Sequence, residues 1–188
     1  MSVPFVLNLP PQSIKDGAPK VKAVLEKALK QVGFIPNMYS FMANSPGMLD
    51  TYLFGFDQFR TQSGFNPVEQ EVVFLTISRA NSCHYCVAAH SFIADKMSKV
   101  PVVVTDAIRN GKIIPDLKLQ ALSKFSLAMI DTRGRPDQID VAEFLAAGYS
   151  EQHVLDILLA ISVKTLSNYA NICSICLWMI CSNHVNGT

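Results

Sequence analysis

The stretch from Glu71 to His90 decides how the rest of the chain is interpreted, and its sequence is E-V-V-F-L-T-I-S-R-A-N-S-C-H-Y-C-V-A-A-H. It contains a C-x-x-C pair, Cys83 and Cys86, and His90 follows the second cysteine by four residues. At about 100° per residue on an α-helix, these three positions fall within about 60° of one another. Both sulfurs and the imidazole therefore share one helix face, which predicts a site for thiol and acid–base chemistry.

The position of the pair relative to a helix start makes the thiols candidates for reactive groups. Asn81 and Ser82 offer side-chain caps, so a helix is predicted to open around Ser82 and to carry Cys83 to Lys99. Free N–H groups and aligned peptide dipoles at a helix start lower the pKa of a cysteine. His90 can take the proton of Cys86, after which one sulfur attacks a substrate and the other resolves the product as a disulfide. Proximity to the helix start favours Cys83 as the attacking thiol, but the spacing leaves the order open.

Glu71 is the fourth candidate for this site, twelve residues before the first cysteine. On a helical wheel its neighbours include Val68 and Leu75, so the carboxylate is expected to be partly shielded from water. Shielding raises the pKa of a carboxyl group and lets it exchange protons near neutrality. A chain break at residues 81–82 could fold Glu71 back toward the cysteines.

Each of these residues has a simpler interpretation when taken alone. The C-x-x-C pair could be half of a structural zinc site, His90 a packed or capping histidine, and Glu71 a surface residue. His84 and Tyr85, between the cysteines, could line a substrate pocket or be merely exposed. The combination favours a catalytic site, because chance would have to place four residues of three types at set intervals.

Composition limits the classes of function. A chain of 188 residues is expected to form a single domain, with residues 1–17 as an extended N-terminal arm and residues 172–188 as an atypical tail. The 16 basic and 15 acidic residues form no basic block, which argues against a nucleic-acid partner. Because only 16% of the residues are charged and 49% are apolar, part of the surface is expected to lie in a subunit interface.

The sequence predicts no membrane span and a cytoplasmic location. The most apolar run, Val154 to Cys181, is interrupted by polar residues, namely Asp156, Lys164, Asn168 and Asn171. The start of the sequence lacks the basic region and apolar core of a signal peptide. Five cysteines, four of them in two C-x-x-C pairs, favour a reducing compartment where thiols do chemistry or bind metal.

Apolar periodicity and helix-boundary residues predict an all-α chain. The predicted helices are Pro19–Val32, 37–44, 46–62, 67–80, 83–99, Val102–Asn110, 116–132, 136–147 and a long one from Ser150 onward. Asn66 as N-cap, Pro67 and Glu69 form the clearest helix start. No segment has a convincing period of two, so no sheet is expected.

The central pattern, E-x11-C-x-x-C-x3-H, resembles that of the alkylhydroperoxidase AhpD and its relatives in the carboxymuconolactone decarboxylase superfamily. Its longer context is similar to the peroxidase-related branch: F-I-P-N at Phe34–Asn37, S-C-H-Y-C-V-A-A-H-S at Ser82–Ser91 and N-Y-A-N at Asn168–Asn171. The likeness spans about residues 30–171, most of the chain.

This resemblance implies an AhpD-like helical bundle that assembles into homo-oligomers, often trimers or hexamers, and a cysteine peroxidase without cofactor or metal. Carried over by position, Cys86 is the peroxidatic thiol, Cys83 the resolving thiol, His90 the base and Glu71 the proton relay. The implied partners are a peroxide substrate and an electron donor, either a dithiol protein or a small thiol.

The end of the chain departs from the family pattern. After N-Y-A-N, Ile172 leads into C-S-I-C-L-W-M-I-C, which adds Cys173, Cys176 and Cys181. A second redox pair there has no nearby histidine or acid. The two C-x-x-C pairs could instead hold one structural zinc with four thiolates, although both look helical, whereas such sites usually use tight turns.

Peroxide reduction is the leading functional hypothesis. A general thiol–disulfide oxidoreductase is the alternative closest to it in chemistry, and a structural zinc-binding protein is the alternative from another class. Lactone decarboxylation within the same superfamily would leave the C-x-x-C pair idle. A non-catalytic assembly module would leave the polar grouping without a role.

Overall fold

The computed structural model describes residues 6–174, which form nine α-helices. These are α1 (Pro19–Val32), α2 (Asn37–Met42), α3 (Pro46–Gln62), α4 (Pro67–Ala80), α5 (His84–Lys96), α6 (Val102–Asn110), α7 (Leu117–Asp131), α8 (Gln138–Ala146) and α9 (Glu151–Cys173). In this part of the chain the β-type pairing is a single parallel bridge between Leu7 and Ser174. The predicted all-α fold is confirmed. None of the nine helices has the length and hydropathy needed to cross a membrane.

Most helix bounds agree with the predicted ones because local chemistry sets them. The Asn66 side chain accepts hydrogen bonds from the N–H groups of Val68 and Glu69, and the Glu69 carboxylate accepts one from the N–H of Asn66. With Pro67 at the first helical position, this capping box fixes the start of α4. At the end of α1, Gly33 adopts a φ of 84°, a left-handed conformation that favours glycine.

The start of α5 differs from the prediction. The helix begins at His84, and Cys83 is its N-cap, with no side-chain cap hydrogen bond. Ser82, the expected cap, has a φ of 56° and lies in the turn before the helix. The helix ends at Lys96 rather than Lys99. Cys83 therefore precedes the first helical turn instead of lying within it.

The described residues fall into two compact units. One unit comprises residues 6–54 and 166–174, and the other is Gly55–Thr165. In the first unit, the segment before α1 is tied to α2 by a hydrogen bond of 2.8 Å from the Gln12 N–H to the Ser40 carbonyl oxygen. The expectation of one domain over residues 1–188 stays a prediction.

In the unit Gly55–Thr165, α4 is the central helix and contacts α5, α6 and α7. Its residues from Glu69 to Ser78 are all buried. Because no side of this part of the helix faces water, its polar side chains must find hydrogen-bond partners inside the protein. Large aromatic side chains fill the space around it, namely Phe59, Phe125 and Phe144, together with Phe74 of α4 itself. Glu71 thus enters the core as part of the central helix.

Candidate active site

Glu71 is fully buried and is bound on both carboxylate oxygens. Its Oε2 lies 2.9 Å from His90 Nδ1, and its Oε1 accepts a hydrogen bond from the Arg60 guanidinium. Burial by itself raises the pKa of Glu71, but the hydrogen bonds and charges of His90 and Arg60 outweigh it and hold the pKa below its ordinary value. The expected rise in this pKa is therefore wrong, and Glu71 is a carboxylate at neutral pH.

His90 lies on α5 and is also buried, with its ring centroid 5.0 Å from that of Phe74. Burial, together with the charge of Lys164, lowers the pKa of His90 to about 4, although its hydrogen bond to Glu71 acts in the opposite direction. The imidazole is consequently neutral at pH 7. Because an ionised carboxylate only accepts hydrogen bonds, the ring proton is on Nδ1 and the lone pair is on Nε2. Nε2 is the atom that can take a proton.

Cys83 and Cys86 are both free thiols and are 2% and 3% exposed. Cys83 is the N-cap of α5, and Cys86 lies in the first turn. A hydrogen bond with Cys86, followed by burial, raises the pKa of Cys83 above its ordinary value, and the charge of Lys164 acts in the opposite direction. A thiol that donates to its neighbour keeps its proton and favours a negative charge on the neighbouring sulfur.

Lys164 is a residue of this region that sequence reasoning missed. It lies on α9 within the unit Gly55–Thr165, its side chain is buried, and its Nζ is 5.4 Å from the Phe74 ring centroid. Burial lowers the pKa of Lys164, whereas the charges of Cys86, Cys83 and Glu71 favour its ammonium form. A lysine within the most apolar run of the sequence was the available signal, because such a residue is rarely buried without a partner.

Arg60 was also missed, because it lies on α3, outside the stretch that carries the motif. Besides its bond to Glu71, its guanidinium donates to Gln70 Oε1 at 3.1 Å. The same group lies 4.7 Å above the Phe74 ring and 5.1 Å above the Phe56 ring. These contacts fix the guanidinium over two aromatic faces. Arg60 is therefore a held counter-charge for Glu71.

The two residues between the cysteines have different environments. His84 is exposed and lines a cavity of about 470 Å³ at the start of α5, with Arg79, Ser82, Arg109 and Asp131 among its other walls. Tyr85 is half-buried and does not line this cavity. Their assignment to a substrate pocket stays a prediction.

The zinc alternative depends partly on residues outside the described part of the chain. Within residues 6–174, no group of three or more His, Cys, Asp or Glu side chains is placed to hold a metal ion. Cys173 is a half-buried free thiol at the end of α9. Cys176 and Cys181, which the sequence suggested for a second pair or a zinc site, lie outside the described residues, as does Trp178.

Protonation of His90 is expected to make stability depend on pH. Between its unfolded pKa of 6.5 and its folded pKa of about 4, the unfolded chain binds a proton that the folded chain does not. The free energy of unfolding should therefore decrease as the pH is lowered through this window, by about 2 kcal/mol between pH 7 and pH 5. Because the pKa of Glu71 is also lowered in the folded protein, Glu71 adds to this loss of stability as the pH falls below its ordinary pKa of 4.5. Urea unfolding at the two pH values measures the change.

A matched pair of variants isolates this effect. His90→Gln keeps a donor for Glu71 but removes the titrating ring, so its stability should vary less between pH 7 and pH 5. His153→Gln removes a histidine that bonds to Ser150 instead, and it is the control for loss of an imidazole elsewhere in the same unit. An unchanged pH dependence in His90→Gln would show that a different group is responsible.

Comparison with known proteins identifies the fold. No family model matches the sequence, and no curated protein matches it. A structure described as an alkylhydroperoxidase AhpD core, an uncharacterised peroxidase-related protein from Ralstonia eutropha JMP134, matches with a TM-score of 0.72 and 22% identity over 89% of each chain. A peroxidase-related protein from Silicibacter sp. TM1040 matches with a TM-score of 0.68 and 21% identity, over 90% of this chain and 87% of that one.

A third matching structure has a different named activity. The debrominase Bmp8, as a cysteine-to-alanine variant in complex with 2,3,4-tribromopyrrole, matches with a TM-score of 0.69 and 20% identity over 88% of each chain. The three structures share one architecture with this chain. At this level of identity the likeness concerns the fold, and it agrees with the resemblance seen in the central motif. The chain has the AhpD-like all-α fold of the peroxidase-related proteins.

Proposed function

We propose that the protein is a thiol-dependent peroxidase that reduces hydroperoxides through Cys83 and Cys86, with His90 and Glu71 as a proton relay. The fold alone does not decide the reaction, since a debrominase shares it. The observation that supports the proposal is the 2.9 Å contact between His90 Nδ1 and Glu71 Oε2, buried in the unit that holds the two reduced thiols. A carboxylate that orients a neutral imidazole is the usual support for a proton-transferring histidine.

In the first step, the Cys86 thiolate attacks the terminal oxygen of the hydroperoxide. An S–O bond forms and the O–O bond breaks, so the sulfur loses two electrons and becomes a sulfenic acid. The departing alkoxide takes a proton and leaves as the alcohol. His90 Nε2 relays protons between the thiol and this oxygen, and the carboxylate of Glu71 stabilises the imidazolium that forms in passing.

In the second step, Cys83 attacks the sulfenic sulfur of Cys86. A disulfide forms and the hydroxyl group leaves as water, which uses the proton of the Cys83 thiol. As the N-cap, Cys83 has φ and ψ of −89° and 90°, outside the helical region, so its side chain can turn without unwinding α5. An external dithiol or two small thiols then reduce the disulfide and restore the enzyme.

The order of the two thiols is supported by their mutual hydrogen bond. That bond raises the pKa of Cys83 above its ordinary value, which favours Cys83 as the thiol that keeps its proton and Cys86 as the thiol that attacks. This assignment agrees with the order carried over from the resemblance. It opposes the argument from distance to the helix start, which assumed that Cys83 lay within the first turn.

The burial of both sulfurs favours peroxide over a protein disulfide as the oxidising substrate. At 2% and 3% exposure, the sulfurs are less accessible to a disulfide on a folded protein surface than to a small molecule such as a hydroperoxide. The general thiol–disulfide oxidoreductase is therefore the second candidate. The two are separated by comparing the rates at which the reduced protein is oxidised by an alkyl hydroperoxide and by the disulfides of insulin.

A single-turnover experiment tests the proposal. Reduced protein, freed of reductant, is mixed with an excess of an organic hydroperoxide, and the remaining peroxide is assayed over time. We expect rapid consumption of one peroxide per chain, and continuous consumption once dithiothreitol is added. Protein whose thiols were blocked beforehand is the control. Peroxide consumption no faster than in this control would refute the proposal.

We also propose that the protein works as a homo-oligomer, a trimer or a hexamer. Several large apolar side chains of the unit Gly55–Thr165 are exposed on the single chain, namely Phe92, Met97, Ile113 and Leu117. Exposed apolar surface of this kind is often covered by another subunit. Light scattering coupled to size-exclusion chromatography should give three or six times the mass of one chain. A monomer at micromolar concentration would contradict this expectation.

A further inference from the structure

The burial of Lys164 calls for a physical explanation. Taking an ammonium group out of water costs several kcal/mol unless other charges offset the loss. An apolar side chain of similar length, such as methionine, would fill the same space without this cost. A buried lysine beside thiols and a histidine is therefore a candidate for a functional charge.

Three nitrogen-bearing groups surround the ring of Phe74. Lys164 Nζ lies 5.4 Å from its centroid, the His90 ring 5.0 Å and the Arg60 guanidinium 4.7 Å. Glu71 is bound to two of these three groups, Arg60 and His90. Lys164 is thus part of the same buried cluster as the candidate proton relay.

With Lys164 as an ammonium, the charges of Arg60, Glu71, His90 and Lys164 add up to one positive charge. Arg60 carries one positive charge, Glu71 carries one negative charge that Arg60 offsets, and His90 is neutral. Lys164 adds a second positive charge. The charges of Cys86 and Cys83 favour the ammonium form of Lys164 more strongly than that of Glu71 does. Ionisation of one thiol makes this buried cluster neutral, and an ammonium near a sulfur lowers the cost of that ionisation.

We propose that Lys164 is a positioning residue whose buried ammonium is the counter-charge of the Cys86 thiolate in the reduced protein. The inference rests on the proposed function for its purpose, because a thiolate is the form that attacks a peroxide. The ion pair itself is a property of the reduced protein, and it can be measured without any peroxide.

The ion pair also completes the proton balance of the reaction. Reduction of a hydroperoxide to an alcohol and water consumes two electrons and two protons. Both electrons come from the sulfurs as the disulfide forms. One proton comes from the Cys83 thiol. The second is the proton that Cys86 gave up when the ion pair formed; Lys164 returns it through His90 Nε2 to the departing alkoxide and becomes a neutral amine. Loss of the thiolate removes the counter-charge, so a buried lysine releases its proton at this point.

A second consequence concerns the disulfide. Because the ion pair stabilises the reduced state and is lost on oxidation, Lys164 makes the disulfide easier to reduce. A stabilised thiolate is the usual cause of an oxidising C-x-x-C pair. Replacing Lys164 by an uncharged residue should therefore make the thiol less acidic and the disulfide more persistent.

The test compares Lys164→Met with Lys164→Arg, which keeps the charge. The first measurement is the rate at which iodoacetamide alkylates Cys86 in the reduced protein as a function of pH, followed by peptide mass spectrometry. Lys164→Met should shift the midpoint to higher pH and slow alkylation at pH 7 by about tenfold or more. Lys164→Arg should keep most of the original rate. Lys124→Met, which removes an exposed lysine, is the control for net charge.

The second measurement is the equilibrium between thiols and disulfide in glutathione buffers. Lys164→Met should favour the disulfide by about tenfold, which corresponds to about 30 mV in reduction potential. Lys164→Gln replaces Lys164→Met if the methionine variant does not fold, and circular dichroism checks both. A purely structural role would leave the alkylation midpoint and the glutathione equilibrium unchanged, and that result would overturn the inference.

These outcomes can be told apart from failure of the proposed function. If the protein consumes no hydroperoxide but Lys164→Met still shifts the alkylation midpoint and the glutathione equilibrium, the ion pair is supported and the peroxidase proposal is refuted. If peroxide is consumed but neither the alkylation midpoint nor the glutathione equilibrium changes, the peroxidase proposal is supported and the proposed role of Lys164 is refuted.

Discussion

Cys86→Ser is expected to abolish turnover of an alkyl hydroperoxide, with a loss in kcat/KM of about a thousandfold or more. A serine hydroxyl is not ionised at neutral pH and cannot take up the oxygen as a sulfenic acid. The measurement is peroxide-dependent oxidation of the electron donor at saturating donor concentration. The variant should fold normally, because one oxygen replaces one sulfur in a small buried side chain.

Two further cysteine variants complete this test. Cys173→Ser changes a half-buried free thiol in the other unit and should keep full activity. Cys83→Ser should still consume one peroxide per chain, but it should stop at a sulfenic acid that dimedone traps on Cys86. Full activity in Cys86→Ser would refute the cysteine mechanism. A trapped sulfenic acid on Cys83 in Cys86→Ser would reverse the order of the two thiols.

Glu71→Gln is expected to lower both activity and stability. Activity should fall about a hundredfold, because the amide oxygen can still accept a hydrogen bond from His90 Nδ1–H but no longer stabilises the imidazolium by charge. The free energy of unfolding should fall by about 2–3 kcal/mol, because the Arg60 guanidinium, which lies over the Phe74 ring, loses its charged partner. Partial exposure of Arg60 makes this loss smaller than that for breaking a fully buried ion pair.

The control for this variant lies on the same helix. Glu69 is also buried, caps the start of α4, and is bound by Lys118 at 2.9 Å and by Tyr149 at 3.2 Å. Glu69→Gln should therefore lose stability while keeping the rate of peroxide reduction. If Glu69→Gln and Glu71→Gln lose activity to the same degree, Glu71 has only a structural role.

The helices could be predicted from the sequence where local chemistry decides them. Asn66 and Pro67 start α4 through contacts within one turn, and Gly33 ends α1 through its own backbone conformation. The start of α5 could not be predicted in the same way. Ser82 and Cys83 are adjacent, and the left-handed conformation of Ser82 is set by the turn from α4 into α5, so the N-cap falls on Cys83.

The members of the candidate site differ in how far the sequence could identify them. Cys83, Cys86 and His90 lie close together in sequence, and their spacing on one helix made them visible. The direction of the Glu71 pKa shift depends on His90 and also on Arg60, which lies eleven residues earlier on another helix. Lys164 comes from a helix far downstream, so its place in the buried cluster is a property of tertiary packing. Its sequence signal was a charge within an apolar run.

The most direct test of the central claim is the mass of the peptide that carries Cys83 and Cys86, measured before and after one equivalent of an organic hydroperoxide. We expect this peptide to lose two hydrogens, the signature of an internal disulfide, and to regain them on reduction with a dithiol. An unchanged mass for this peptide while the peroxide disappears, or oxidation confined to Cys173, would contradict peroxide reduction by the C-x-x-C pair.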